Sequence, residues 1–175
     1  CSCTEDADPS QARYEVTEEA NIRTIRTAGI PSHVFHEGRE DANPNVVCLQ
    51  PVEATLPLDP QRASSYTSTP LGVIGIMKTG GFLYNHLSNT AGINDVANHP
   101  SGEQPSLDTC HGHADPDCIY HYHEISQLAA CTHDGQWDEC ELIGYVLDGF
   151  PLYSHCLSPG LSRFLTSCYQ ITSDA

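Results

Sequence analysis

Residues 108–123 read Asp-Thr-Cys-His-Gly-His-Ala-Asp-Pro-Asp-Cys-Ile-Tyr-His-Tyr-His. Side chains two apart on a strand point to the same face. An extended 119–123 therefore puts His121 and His123 on one face and Tyr120 and Tyr122 on the other. His111 and His113 pair in the same way if their segment is extended. Between the two halves lies Ala-Asp-Pro-Asp-Cys, a short run of turn formers. The stretch predicts a hairpin that brings four imidazoles within reach of one another.

Working outward, the flanks are also strand-like. Leu71–Met77, Gly81–Tyr84, Leu142–Leu147 and Phe150–His155 are short apolar, β-branched or aromatic runs punctuated by Gly and Pro. Ile22–Ile25 alternates and stops at Gly29 and Pro31. Val46-Val47 reads as the start of a further strand. Gln50–Pro70 holds four prolines and a hydroxyl run, Ser64–Thr69, which excludes a long helix. That run reads as a solvated loop, with O-glycosylation as the alternative; no N-x-[ST] sequon exists. The best helical candidates are 125–132 and 161–168. The expected fold is all-β or β-rich: a disulfide-stapled, sandwich-like single domain with long loops and one or two short helices. An acidic stretch over residues 1–20 precedes the domain, 21–175, and is expected to be an arm or an edge strand that needs a partner to order it.

Composition narrows the function classes. The chain is 39% hydrophobic and 17% charged, so it has a core and is not a disordered polyanion. Seven basic against 23 acidic side chains give a formal charge of −16. Nucleic acid and anionic lipid surfaces repel such a field, whereas cations are attracted to it. No apolar run is long enough to span a bilayer.

Nine cysteines with no C-x-x-C pair suit an oxidising compartment and a disulfide framework, and point to a secreted or cell-surface protein, extracellular or periplasmic. If the protein is exported, this sequence is the processed form. An odd count leaves one sulfur over, with Cys1 the natural candidate for lipidation or an intermolecular bridge. Eight cysteines allow about a hundred pairings. Two are locally attractive: Cys110 with Cys118, and Cys131 with Cys140 across Asp134-Gly135.

Ten histidines is a high number, and six sit at 86, 99, 111, 113, 121 and 123. Neutral imidazole is a common metal ligand near neutral pH. Two His-x-His segments within thirteen residues point to copper or zinc, with iron or manganese also compatible. Asp108 can ligate or can orient an imidazole. Calcium is the alternative, since Asp-Ala-Asn-Pro-Asn, Ala-Asp-Pro-Asp and Leu-Asp-Gly offer oxygens. Asp148 ends an apolar run, either as a site carboxylate or as part of a hairpin turn. Two metal-free readings compete with the metal site: a buried His, Tyr and Asp network that rigidifies the fold, and a catalytic His.

These residues together resemble the YHYH domain family. The likeness rests on Ile119–His123 preceded by Asp108–Asp117 and followed by Leu142–Tyr153. It extends to Thr27–His33, Asn43–Asn45, Leu71–Gly75 and Phe82–Asn85. The resemblance implies an exported protein whose His motif holds a metal, without an established reaction. It marks Asp108, His113, His121, His123, Asp148 and, less firmly, His33. His111 lies at a position the family pattern does not fix. After Tyr153 the likeness weakens, which suggests a trimmed end or a last strand supplied by a neighbour.

Three functions follow. The first is a secreted metal-binding domain whose ion serves the fold. The second is a subunit of an extracellular fibre or surface matrix, self-associating by adding its arm to the next copy. The third is a metalloenzyme, for which no G-x-S-x-G, H-E-x-x-H or paired-Glu motif supplies a reaction.

Overall fold

The computed structural model describes residues 3–36, 43–65, 67–69, 71–85, 107–124, 126, 131 and 141–154. Nine strands form two sheets. Strands β1 (Tyr14–Glu19), β2 (Ile22–Thr27) and β3 (Val52–Pro57) make an antiparallel sheet in the order β1-β2-β3. Strands β4 (Val73–Met77), β5 (Phe82–Tyr84), β6 (Gly112–Ala114), β7 (Tyr120–Tyr122), β8 (Leu142–Val146) and β9 (Pro151–Tyr153) make a mixed sheet. Its order is β6-β7-β5-β4-β8-β9. All its pairs are antiparallel except β5 with β7.

Period-two patterning explains the small sheet. Along β2, Arg23, Ile25 and Thr27 are buried and Ile22 and Arg26 are exposed. Ile25 and Leu56 of this sheet pack with Ile76, Phe82 and Tyr145 of the large one. Each such side chain contributes about 1.5–3 kcal/mol when fully buried. The Arg23 guanidinium lies 3.9 Å from the Tyr145 ring centroid and adds a cation–π contact between the sheets. The architecture is thus β-rich and sandwich-like.

The opposite face of the large sheet is covered by chain rather than by a sheet. Ile30, Phe35 and Val47 pack there against Met77, Leu83, Tyr120 and Tyr122. Gly29, at φ +72°, makes the turn into this segment, and its N–H reaches Thr27 Oγ1 at 3.0 Å.

The structure corrects several expectations. Val46-Val47 belongs to no strand. Val47 is fully buried, and its backbone bonds go to Ala7 and to the Asp6 carboxylate, so its β-branched side chain serves packing without a ladder. The strand lies instead at β3, within the proline-rich stretch. Within the stretch 1–20, of the two forms expected, residues 14–19 take that of an edge strand, β1, with β2 of their own chain as partner. Among the described residues helical conformation is confined to a 3-10 turn, Pro9–Gln11, capped by Asp8, and to Cys131. Apart from Ser126 and Cys131, the helix candidates at 125–132 and 161–168 lie outside the described residues.

The local cysteine pairings are replaced. Cys110 bonds Cys131, and Cys3 bonds Cys48. Cys110 sits beyond the open end of the β6–β7 hairpin, while Cys118 lies in its turn, so the hairpin's length keeps them apart. Cys118 is also disulfide-bonded, beside Cys48, whose N–H donates to the Cys118 carbonyl at 3.0 Å. Cys140 lies outside the described residues. No helix among the described residues is long and apolar enough to cross a membrane.

Candidate metal centre

The β6–β7 hairpin is built around Asp115. Its Oδ1 accepts the N–H groups of Asp117 at 2.9 Å and Ile119 at 3.0 Å, closing the turn between the strands. The register then sets His113 directly opposite His121. His123 follows two residues on, on the same face. The three rings gather with centroids 4.6, 4.8 and 5.3 Å apart. His121 is central: its Nε2 is 3.0 Å from Nε2 of His113 and 3.0 Å from Nε2 of His123. One ligand atom from each ring lies within 4.8 Å of the others, close enough to share one ion.

Backbone carbonyls set the tautomers. His121 Nδ1 lies 3.1 Å from the Ile119 oxygen and His123 Nδ1 lies 2.7 Å from the Asn85 oxygen. A carbonyl can only accept, so each Nδ1 carries the proton and donates it. In the neutral rings both Nε2 atoms then present lone pairs.

Tyr84 of β5 completes the wall. Its ring stacks on His121 at 3.8 Å with an interplanar angle of 13°, and its hydroxyl donates to Asp115 Oδ2 at 3.2 Å. Burial first, and then the Asp115 charge, raise the Tyr84 phenol well above its usual range, so it remains a donor.

The other face of β7 carries Tyr120 and Tyr122, as the alternation predicts. His33 lies there, donating from Nδ1 to the Val34 carbonyl at 2.8 Å and accepting the Tyr122 hydroxyl at Nε2 at 2.5 Å. Thr79 bonds the same hydroxyl at 2.9 Å. Burial lowers the His33 pKa, against smaller opposing effects of the Val34 carbonyl and Asp108.

The expected site residues therefore divide. His113, His121 and His123 come together. His33 lies behind the sheet. His111 takes a left-handed backbone, φ +61°, precedes β6, and lies with Nδ1 2.8 Å from the Glu124 carboxylate. The extended His111–His113 arrangement does not form. Asp108 is buried and accepts from the N–H groups of Cys110 and Gly112, the N–H of His36 and the Tyr120 hydroxyl. Asp148 is exposed in the β8–β9 turn, 3.4 Å from the Phe150 N–H. His86 and His99 lie outside the described residues. A second sulfur group, Cys3, Cys48 and Cys118, is also tight enough to hold an ion, but its members are disulfide-bonded and carry no thiolate.

The sequence placed Tyr84 on a strand but not in the site. Its signal was present as an aromatic in Phe82–Asn85, but a stacking partner on a parallel neighbour has no local signature.

No curated protein and no solved structure matches the chain. A model of the YHYH protein family matches residues 53–173, which include β3 from its second residue, β4–β9 and the three-histidine group, and the chain belongs to that family.

Proposed function

We propose that this protein is an exported metal-binding domain that holds one transition-metal ion on Nε2 of His113, His121 and His123. The observation that carries the reading is the 3.0 Å approach of His121 Nε2 to His123 Nε2 while both Nδ1 atoms donate to carbonyls. Two lone pairs at that distance repel unless a cation lies between them, either a proton on one ring or a metal ion. The buried, converging third imidazole favours the metal.

Nitrogen donors favour copper or zinc over calcium, which prefers oxygen. Disulfides at Cys3–Cys48 and Cys110–Cys131 are compatible with an extracellular location.

The test is metal analysis by mass spectrometry of the native protein and of the His121→Ala/His123→Ala variant. The expected result is about one equivalent of copper or zinc in the first and none in the second, with the disulfides intact in both. Equal metal content in the two proteins would sink the assignment.

A further inference from the structure

We propose that Tyr84, anchored by Asp115, is a positioning residue that fixes the plane of the His121 imidazole; the inference rests on the metal reading above. Three features converge on it. The Tyr84 and His121 rings are nearly parallel, 13° apart at 3.8 Å, and such a stack resists rotation of the imidazole out of plane. The Nδ1 bond of His121 to Ile119 is 3.1 Å, longer than the 2.7 Å bond that holds His123. The central ligand therefore has the weaker backbone tether and the aromatic support.

The support is itself tied to the hairpin. One oxygen of Asp115 shapes the β6–β7 turn through the Asp117 and Ile119 N–H groups, and the other receives the Tyr84 hydroxyl. The Asp115 N–H donates to the Ile119 carbonyl, the same oxygen that receives His121 Nδ1. A single residue thus links the turn, the carbonyl that sets the His121 tautomer, and the ring that stacks on His121. Such groups act by orienting ligands before the ion arrives, and their loss typically costs about 10–100-fold in metal affinity.

The experiment compares the full chain with Tyr84→Leu and Tyr84→Phe. Copper affinity is measured by chelator competition, the copper environment by electron paramagnetic resonance, and the His121 ring by nitrogen NMR of the metal-free protein. Tyr84→Leu should weaken copper binding by about 10-fold or more, alter the resonance spectrum, and broaden or shift the His121 ring signals. Tyr84→Phe keeps the stack and loses the anchor, so it should show a smaller change in the same direction. If the Leu variant does not fold, Tyr84→Met, which also removes the stack, is read in its place. A Tyr84→Leu protein equal to wild type in affinity and ring signals overturns the proposal; an unchanged Tyr84→Phe protein overturns the role of Asp115. If wild type binds no metal, the metal reading fails, and the metal-free ring signals alone decide whether Tyr84 orients His121.

Discussion

The carboxylate of Asp108 accepts the hydroxyl proton of Tyr120 at 2.8 Å, and the Tyr120 side chain is fully buried. Three backbone N–H groups converge on the same carboxylate: Cys110 and Gly112 on Oδ1, and His36 on Oδ2. Asp108 thereby fastens the approach to β6 onto β7, on the side of the sheet away from the three histidines. Its chemistry is that of a buried acceptor with every position used.

Asp108→Ala is expected to destabilise the protein by about 3–5 kcal/mol, because it strands a buried hydroxyl and several N–H groups. Asp108→Asn keeps one acceptor oxygen and should cost less. Urea unfolding measures both. In Asp108→Asn protein that still folds, copper affinity should stay near wild type. A selective loss of metal without a loss of stability would instead make Asp108 a ligand.

Gly112 is the one residue between the two halves of the first His-x-His segment, and its missing side chain matters. A Cβ there would fall on the Tyr120 hydroxyl and ring, which are locked in place by Asp108. Gly112→Ala should therefore cost about 1–3 kcal/mol by overpacking. It should also displace β6 and with it His113. Chemical denaturation and the NMR shifts of His113 report the two effects. A variant as stable as wild type would show that Tyr120 can move aside.

Much of this was legible beforehand, and the boundary is physical. Alternation alone separated His121 and His123 from Tyr120 and Tyr122, because strand geometry leaves no choice of face. Asp-Pro-Asp announced the turn and thus a hairpin of the two His-x-His segments, though not its register. What escaped depended on tertiary context. His111 leaves the group through a left-handed backbone at a residue that is not glycine, which pattern reading does not anticipate. Cys110 pairs with Cys131 because the hairpin separates it from its sequence neighbour Cys118. Val52, Ala54 and Leu56 do alternate, so β3 had a signal, but Pro51 and Pro57 at its ends pointed to loop. Both prolines sit where a strand at the edge of a sheet tolerates them.

His33 gives the protein an acid-sensitive element separate from the metal ligands. Burial holds its folded pKa below the ordinary imidazole value. Above about pH 6.5 the ring is neutral in both folded and unfolded chains and contributes no pH dependence. As pH falls below that value, the unfolded chain takes up the proton first, so folding stability declines until the folded pKa is passed. The slope from this one group is at most about 1.4 kcal/mol per pH unit. His33→Gln should flatten the decline when urea midpoints of metal-free protein are compared from pH 7 downward. A slope identical to wild type would mean that His33 is accessible to protons in the folded state.

Acid should also empty the metal centre, for a different reason. The lone pairs at Nε2 of His113, His121 and His123 are the binding atoms, and a proton competes for each of them. The Nδ1 protons of His121 and His123 are already committed to the Ile119 and Asn85 carbonyls, so protonation in acid must occur at Nε2, the atom facing the ion. Apparent affinity should therefore fall in mild acid, in the general imidazole range, whereas a carboxylate site would persist to about pH 4. Equilibrium dialysis across this range, with metal quantified by mass spectrometry, reads the midpoint directly. Release in the imidazole range that shifts or vanishes in His123→Ala supports the three-histidine centre. Occupancy that stays flat down to about pH 4 would assign the ion to oxygen ligands and leave His121 and His123 sharing a proton instead.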